Sequence, residues 1–260
     1  MPVYQKEIIE KLSMFLTALQ FLTIISIPWR RNARKVQIGK SIGYFPVVGL
    51  IIGLILAGLS WLFALALPPG IVNALLLMVL VILTGALHLD GLADTCDGLA
   101  GHKTVEDRWQ IMRDSRVGGF GVIGIVLILL VKYVSLNSIP GTLMTASLVL
   151  MLVAGRWAMV YSIFAYPYAR PSGLGKAFKE GTRWPGFIVA TIITIAIAVV
   201  SMQLIGLVIL AVVLIITTVL AAYFKKTFAG LTGDNYGAIN EIAEVSVLIV
   251  INLFVYLELL

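Results

Sequence analysis

Four aspartates, Asp90, Asp94, Asp97 and Asp114, crowd into one short stretch of an otherwise greasy chain, in the company of Lys103, Arg113 and Arg116. Six of the 13 acidic residues fall between Asp90 and Asp114. In a helix, residues at i, i+4 and i+7 share a face, so Asp90, Asp94 and Asp97 would stand in one row. Carboxylates in a row repel one another unless a cation lies between them. Hard oxygen ligands of this kind suit Mg²⁺, usually together with substrate phosphates. The alternative is a solvated polar loop joining two apolar helices, and the regular spacing argues for the metal. Asp90, Asp94, Asp97 and Asp114 are therefore the candidate catalytic and metal-binding residues, with His88 beside them on the substrate side.

Other polar groups could complete such a site. Arg113 and Arg116 flank Asp114, an arrangement that suits bidentate phosphate binding beside a metal ligand. Gly118, Gly119 and Gly121 follow, and fit equally a backbone that approaches a ligand at a helix start or a helix-packing motif. Arg156 lies deep in an apolar run, where it should point into a bundle toward an acidic partner or a ligand phosphate. Lys132 falls near the far end of its apolar run and is expected to snorkel. Arg170 and Lys176 are candidates in the next polar loop; Ser172-Gly-Leu-Gly-Lys176 lacks both the Walker spacing and a preceding strand. Asp234, Asn240, Glu241 and Glu244 stand at the entry to the last apolar segment, with Asn240 and Glu244 on one helical face. Such groups are expensive near lipid unless bound to a partner or ligand, though a capped, solvated loop also accounts for them.

The elements that must position these groups follow from composition. Of the 260 residues 60% are hydrophobic and only 12% charged, and the mean hydropathy is +1.03. Soluble domains are about 25% charged, so this chain cannot cover itself with a polar surface. Apolar runs near ~20 residues recur, each long enough to cross the hydrocarbon core as a helix, and the alternation of a β-barrel is absent. The fold class is all-α, a polytopic α-helical integral membrane protein in one domain over residues 1–260. Spans are expected over residues 44–67, 71–89, 118–136, 142–166, 187–200, 204–224 and 245–260, seven in all. Residues 12–27 form a short apolar segment that fits either a tilted span or an interfacial helix; no clear cleavage site marks it as a signal peptide. Cys96 is the only cysteine, which excludes an intrachain disulfide, and His88 and His102 are too few for a common zinc site.

Loop charge sets the expected orientation. Arg30, Arg31, Arg34, Lys35 and Lys40 form a basic loop, and fifteen of the 19 basic residues lie in the long polar loops, none in the short turns at Pro68, Asn137 and Ser201. The positive-inside tendency puts every long polar loop in the cytoplasm and the C-terminus outside. The net charge of +6 then reflects loop placement, so no nucleic-acid partner is expected and membrane lipid is. Small residues along the spans allow helix contacts within one chain or between copies.

The polar stretches, taken together, resemble the cobalamin synthase family, the adenosylcobinamide-GDP ribazoletransferases. The matching runs include Tyr44-Phe-Pro-Val-Val-Gly49, His88-Leu-Asp-Gly-Leu-Ala-Asp-Thr-Cys-Asp-Gly98 and Ile111-Met-Arg-Asp-Ser-Arg-Val-Gly118. Gly155-Arg-Trp-Ala-Met159, Tyr168-Ala-Arg170, Gly173-Leu-Gly-Lys-Ala177 and Thr232-Gly-Asp-Asn-Tyr-Gly-Ala-Ile-Asn-Glu241 follow in the family's order. The series covers nearly the whole chain and is specific where each run alone would be weak. The resemblance implies a late step of cobalamin nucleotide-loop assembly in a prokaryotic cytoplasmic membrane. Adenosylcobinamide-GDP and α-ribazole, or its 5′-phosphate, would give adenosylcobalamin, or its 5′-phosphate, and GMP, with Mg²⁺ as cofactor.

On this reading, Mg²⁺ is held by Asp90, Asp94 and Asp97, with Asp114 as a fourth candidate, and Arg113, Arg116 and Arg156 neutralise phosphate oxygens. One carboxylate, or His88, accepts the proton of the ribazole hydroxyl. A CDP-alcohol phosphotransferase is the first rival, but its Asp-Gly-x-x-Ala-Arg motif fails here, where Asp90-Gly-Leu-Ala93 is followed by Asp94. A cation transporter is the second; it needs acidic groups spread through the spans, and only Arg156 is expected deep inside.

Overall fold

The computed structural model describes residues 3–27, 35–101, 104–114 and 116–260. Arg30, Arg31, Arg34, His102, Lys103 and Ser115 lie outside the described residues. The described chain is helical: α1 (Val3–Leu22), α2 (Lys35–Lys40), α3 (Phe45–Ala64), α4 (Pro69–Thr84), α5 (Leu87–Leu99), α6 (Val105–Ile111), α7 (Gly119–Ser138), α8 (Gly141–Ala165), α9 (Leu174–Gly181), α10 (Trp184–Phe228) and α11 (Gly233–Tyr256). Pro46, Pro69 and Pro185 sit in the first turns of α3, α4 and α10, where a missing N–H costs nothing.

Among the described residues five elements are long and apolar enough to cross a membrane, and a sixth if the bent pair α4 and α5 forms one span. The longest, α10, is two helices, because Met202 and Gln203 leave helical φ/ψ. A Cβ at Gly206 would strike the carbonyl of Ala198. Those residues would lie roughly 12 Å apart along a straight helix, so the chain folds back there. Its arms, 184–201 and 204–228, correspond to the two spans that the sequence separates at Ser201. α1 is not among the apolar spans; its Leu16, Leu19 and Leu22 are buried while Ile8, Ile9 and Leu12 remain exposed.

The central helix is α8, buried without a break from Ser147 to Val160. It meets α3 backbone to backbone: a Cβ at Gly49 would lie 2.6 Å from the carbonyl oxygen of Leu152, and one at Gly53 would lie 2.8 Å from Val149 Cα. Small residues four apart are the usual device for close helix approach in lipid, where no hydrophobic effect drives helices together. Outward faces stay apolar, as in the stripe Phe120, Ile123, Leu127, Leu130 and Val134 of α7. At one end the turns gather, with Asn73 donating to Asn137 at 3.2 Å. The polar segments collect at the other end. There α4 stops at Gly85 and Ala86, both with positive φ of 58° and 56°, and α5 leaves at 88° to it.

Two expectations about polar residues in the spans change. The segment expected to be a loop through Glu244 is already helix from Gly233, because Thr232 caps it: its hydroxyl accepts from Asn235 N–H at 3.2 Å, and the Asn235 side chain accepts from Thr232 N–H at 2.9 Å. Asn240, Glu241 and Glu244 therefore lie inside the bundle. Lys132 does not snorkel; it is 1% exposed and turns inward to meet those acids.

Candidate active site

The expected helix around the aspartates exists, as α5. Asp90 is exposed, and Asp94 and Asp97 are half-buried. Gly91 and Gly237 let α5 lie directly on α11: a Cβ at Gly91 would be 2.8 Å from the carbonyl oxygen of Asp234, and one at Gly237 would be 3.0 Å from that of His88. This contact adds Asp234 to the row. Asp94 lies in the combined field of Asp234, Asp90 and Asp97, opposed by Arg170. Arg170 is held by the segment before it: Ala169 N–H donates to Leu231 at 2.8 Å, and Leu231 N–H donates to Pro167 at 2.9 Å. Gly230 permits this stitch, since it adopts φ 135° and a Cβ there would be 2.9 Å from the Ala169 backbone. The Arg170 guanidinium then donates to Asp234 at 3.0 Å.

Asp97 has a different task. Its two carboxylate oxygens accept from the N–H groups of Gly118 at 2.7 Å and Gly121 at 2.9 Å. It fills the start of α7 with the protein's own negative charge, where unpaired N–H groups and the helix dipole favour an anion. The glycines are needed because a Cβ at Gly118 would strike the same carboxylate, and one at Gly121 would lie 2.5 Å from it. Asp114 is bound to Arg116, which donates at 2.7 Å. Hydrogen bonds from the Arg116 side chain and then its backbone hold the Asp114 carboxyl down at about 2. It lines a separate open depression of about 370 Å³ with Asp107, Gln110 and Ile111. Arg113 is exposed and acts electrostatically on Tyr168.

Beside the acidic row lies a cavity of about 180 Å³. Asp90, Asp234, His88 and Tyr236 form its polar side; Phe21, Met159, Ile163, Leu174 and Phe178 form its apolar side. The helix α9 closes it. Phe178 packs on Phe21 and Phe45 with ring centres 4.6 and 5.5 Å away, and Lys179 donates to the last carbonyls of α8, Ile163 and Phe164, at 2.9 and 2.8 Å. Burial lowers the pKa of that lysine. Lys176, by contrast, donates to Pro171 at 2.7 Å at the surface and pairs with Glu180 at 3.6 Å.

The family described as cobalamin-5-phosphate synthase matches the chain over residues 14–252. The chain belongs to that family. An adenosylcobinamide-GDP ribazoletransferase of Geotalea daltonii is 40% identical over 90% of this chain and 94% of its own length. Proteins of the same name from Roseiflexus sp. and Desulforamulus reducens are 39% identical over 94% and 90% of the two chains, and 36% identical over 90% and 94%. No solved structure matches.

Within this cobalamin-5-phosphate synthase family member, a second polar cluster lies deeper. Lys132 donates to Glu241 at 2.6 Å and to Glu244 at 2.5 Å, Arg156 pairs with Glu244, and Asn240 donates to Glu244 at 2.9 Å. The expected acidic partner of Arg156 is thus Glu244, and the arginine is fully buried. Two cations and two carboxylates tie α7, α8 and α11 together. The premise that Arg156 alone is charged in the interior is overturned, but each buried carboxylate here already has its cation. Sequence reasoning overlooked Tyr236 and the apolar wall. The Thr232-x-x-Asn235 cap is the signal in the sequence for a helix that carries Tyr236 in its first turn.

The donor chemistry fits Mg²⁺. Among the described residues Asp90 and Asp94 accept no hydrogen bond, and Asp234 is the third carboxylate of their cluster. No ready-made group of three ligands occurs among the described residues. Magnesium does not need one, since it keeps several waters and takes one or two carboxylates beside substrate phosphates.

Proposed function

We propose that the chain joins adenosylcobinamide-GDP to α-ribazole, or α-ribazole 5′-phosphate, releasing GMP and giving adenosylcobalamin or its 5′-phosphate. Family membership over residues 14–252 carries this reading, and the acidic row facing a small amphipathic cavity supports it. In the reaction a ribose hydroxyl attacks the phosphorus joined to the cobinamide. A new P–O bond forms, the bridging P–O bond breaks, and GMP leaves with the electron pair. Asp90 or Asp94 accepts the hydroxyl proton, the alternative being His88. Arg170, already beside Asp234, and Arg113 supply positive charge to phosphate oxygens. Arg156 is assigned to bundle integrity, since Glu244 holds it.

Mg²⁺ belongs to the proposal, with Asp90 and Asp94 as its protein ligands and Asp234 in support. Bound there, it would offset the negative charge of the diphosphate. We also assign the polar end to the cytoplasm and the protein to the inner membrane, on the loop charge count. The test is GMP release from adenosylcobinamide-GDP and α-ribazole in proteoliposomes. Release is expected with Mg²⁺ and is expected to stop with EDTA. Neither a CDP-alcohol phosphotransferase nor a cation transporter predicts it, and its absence in a folded preparation would overturn the proposal.

A further inference from the structure

We infer that the cavity between α5, α8, α9 and α11 seats the base of the incoming ribazole and sets which bases the enzyme accepts; this rests on the function proposed above. Its size comes first. At about 180 Å³ it is smaller than the ~300 Å³ at which pockets for whole drug-sized ligands begin. It takes one part of a substrate, and a corrinoid ring does not enter it.

Its walls decide which part. Phe21, Met159, Ile163, Leu174 and Phe178 present aromatic and aliphatic surface, which matches a flat, largely apolar bicyclic heterocycle and no phosphate. Two residues of this lining carry a polar atom that no protein group pairs. The hydroxyl of Tyr236 and Nε2 of His88 are buried without a hydrogen-bond partner, in residues only 3% and 2% exposed. Buried polar groups are rarely left unpaired, and a site built to be completed by a ligand is one reason for it. The Tyr236 hydroxyl donates to the unsubstituted ring nitrogen of the base, and His88 Nε2 is left to meet a polar group on the attached sugar. Asp90 and Asp234 border the same cavity. A base seated against the apolar wall therefore directs its ribose toward the acidic row, where the hydroxyl must lose its proton.

The unpartnered hydroxyl gives an unusually clean test. Tyr236→Phe keeps the ring and removes only an atom that no protein group uses, so the fold is expected to survive with an unchanged or higher melting temperature. Loss of one hydrogen bond to the base predicts a rise of about tenfold in the KM for α-ribazole, with the KM for adenosylcobinamide-GDP unchanged. Gly233→Leu is the second variant. Gly233 lines the cavity and a Cβ there would meet nothing within 4 Å, so a larger side chain can start from this position and narrow the space. It is expected to raise the ribazole KM and to weaken competition by free benzimidazole.

Ribazole KM values at the wild-type level in both variants overturn the inference. So does a shift confined to the adenosylcobinamide-GDP KM, or loss of co-purified lipid from Gly233→Leu with ribazole kinetics intact, which would make the cavity a lipid seat. Wild-type protein that releases no GMP would instead refute the proposed function. Equilibrium dialysis of benzimidazole against the wild-type and Gly233→Leu proteins then still reports on the cavity alone.

Discussion

Asp94 and Asp97 stand three residues apart on α5 and are exposed to a similar degree, yet their surroundings divide them. Asp94 accepts no hydrogen bond from the described residues and faces Asp90 and Asp234. Asp97 spends both oxygens on the start of α7. Asp94→Asn is therefore expected to cut Mg²⁺-dependent turnover by about 10²-fold or more, the scale of a lost acid–base or metal-binding group, while leaving expression and melting temperature near wild type. Normal turnover in the purified variant would remove Asp94 from the metal site. Asp97→Ala is expected to do the reverse first, lowering stability by about 1–2 kcal/mol, as loss of a helix cap does, read by thermal unfolding in detergent. Spacing alone groups the two, because i, i+4 and i+7 fix a face but say nothing of what a neighbouring helix brings to that face. The same limit hid Asp234 from the row. It is 140 residues away in sequence from Asp94, and only the close approach of Gly91 to α11 brings it there.

At the scale of elements, the spans and their short turns were legible, because a run of apolar residues crossing a bilayer admits few alternatives. The start of α11 was less so. Polar residues from Asp234 to Glu244 look like a loop until their partners are known, and the partners are Lys132 on α7 and Arg156 on α8. Lys132 departs from expectation for the matching reason: depth in an apolar run does not say whether a lysine points to lipid or to an acid. The cluster makes a strong prediction. Lys132→Met leaves two glutamates to one arginine and should destabilise by about 3–5 kcal/mol, the cost of breaking a buried pair. Adding Glu241→Leu should recover much of the loss, since removing both partners leaves no orphaned charge. A double variant as unstable as the single one would show that Glu241 and Lys132 are not energetically coupled.

For the whole molecule, the turns gather at one end and the polar segments at the other, which makes orientation testable. In a Cys96→Ala background, Gly141→Cys at the turn end should react with a membrane-impermeant maleimide on intact cells. Glu180→Cys, on the exposed side of α9, should react only after permeabilisation. Reversed labelling would move the acidic row to the outer compartment and defeat the cytoplasmic assignment. Another consequence comes from the length of α4. Its 16 residues rise only about 24 Å, against a hydrocarbon core of about 30 Å. Its neighbours α3 and α7 have 20 residues each, and the central α8 and α11 have 25 and 24. Where α4 ends and α5 turns aside, the bilayer must thin or admit water below the level at which the longer helices end. The carboxylates then lie in a dip of the membrane surface, and acyl-chain length becomes a variable of the reaction. Turnover in vesicles of graded chain length should peak at the shorter lipids and fall as the bilayer thickens.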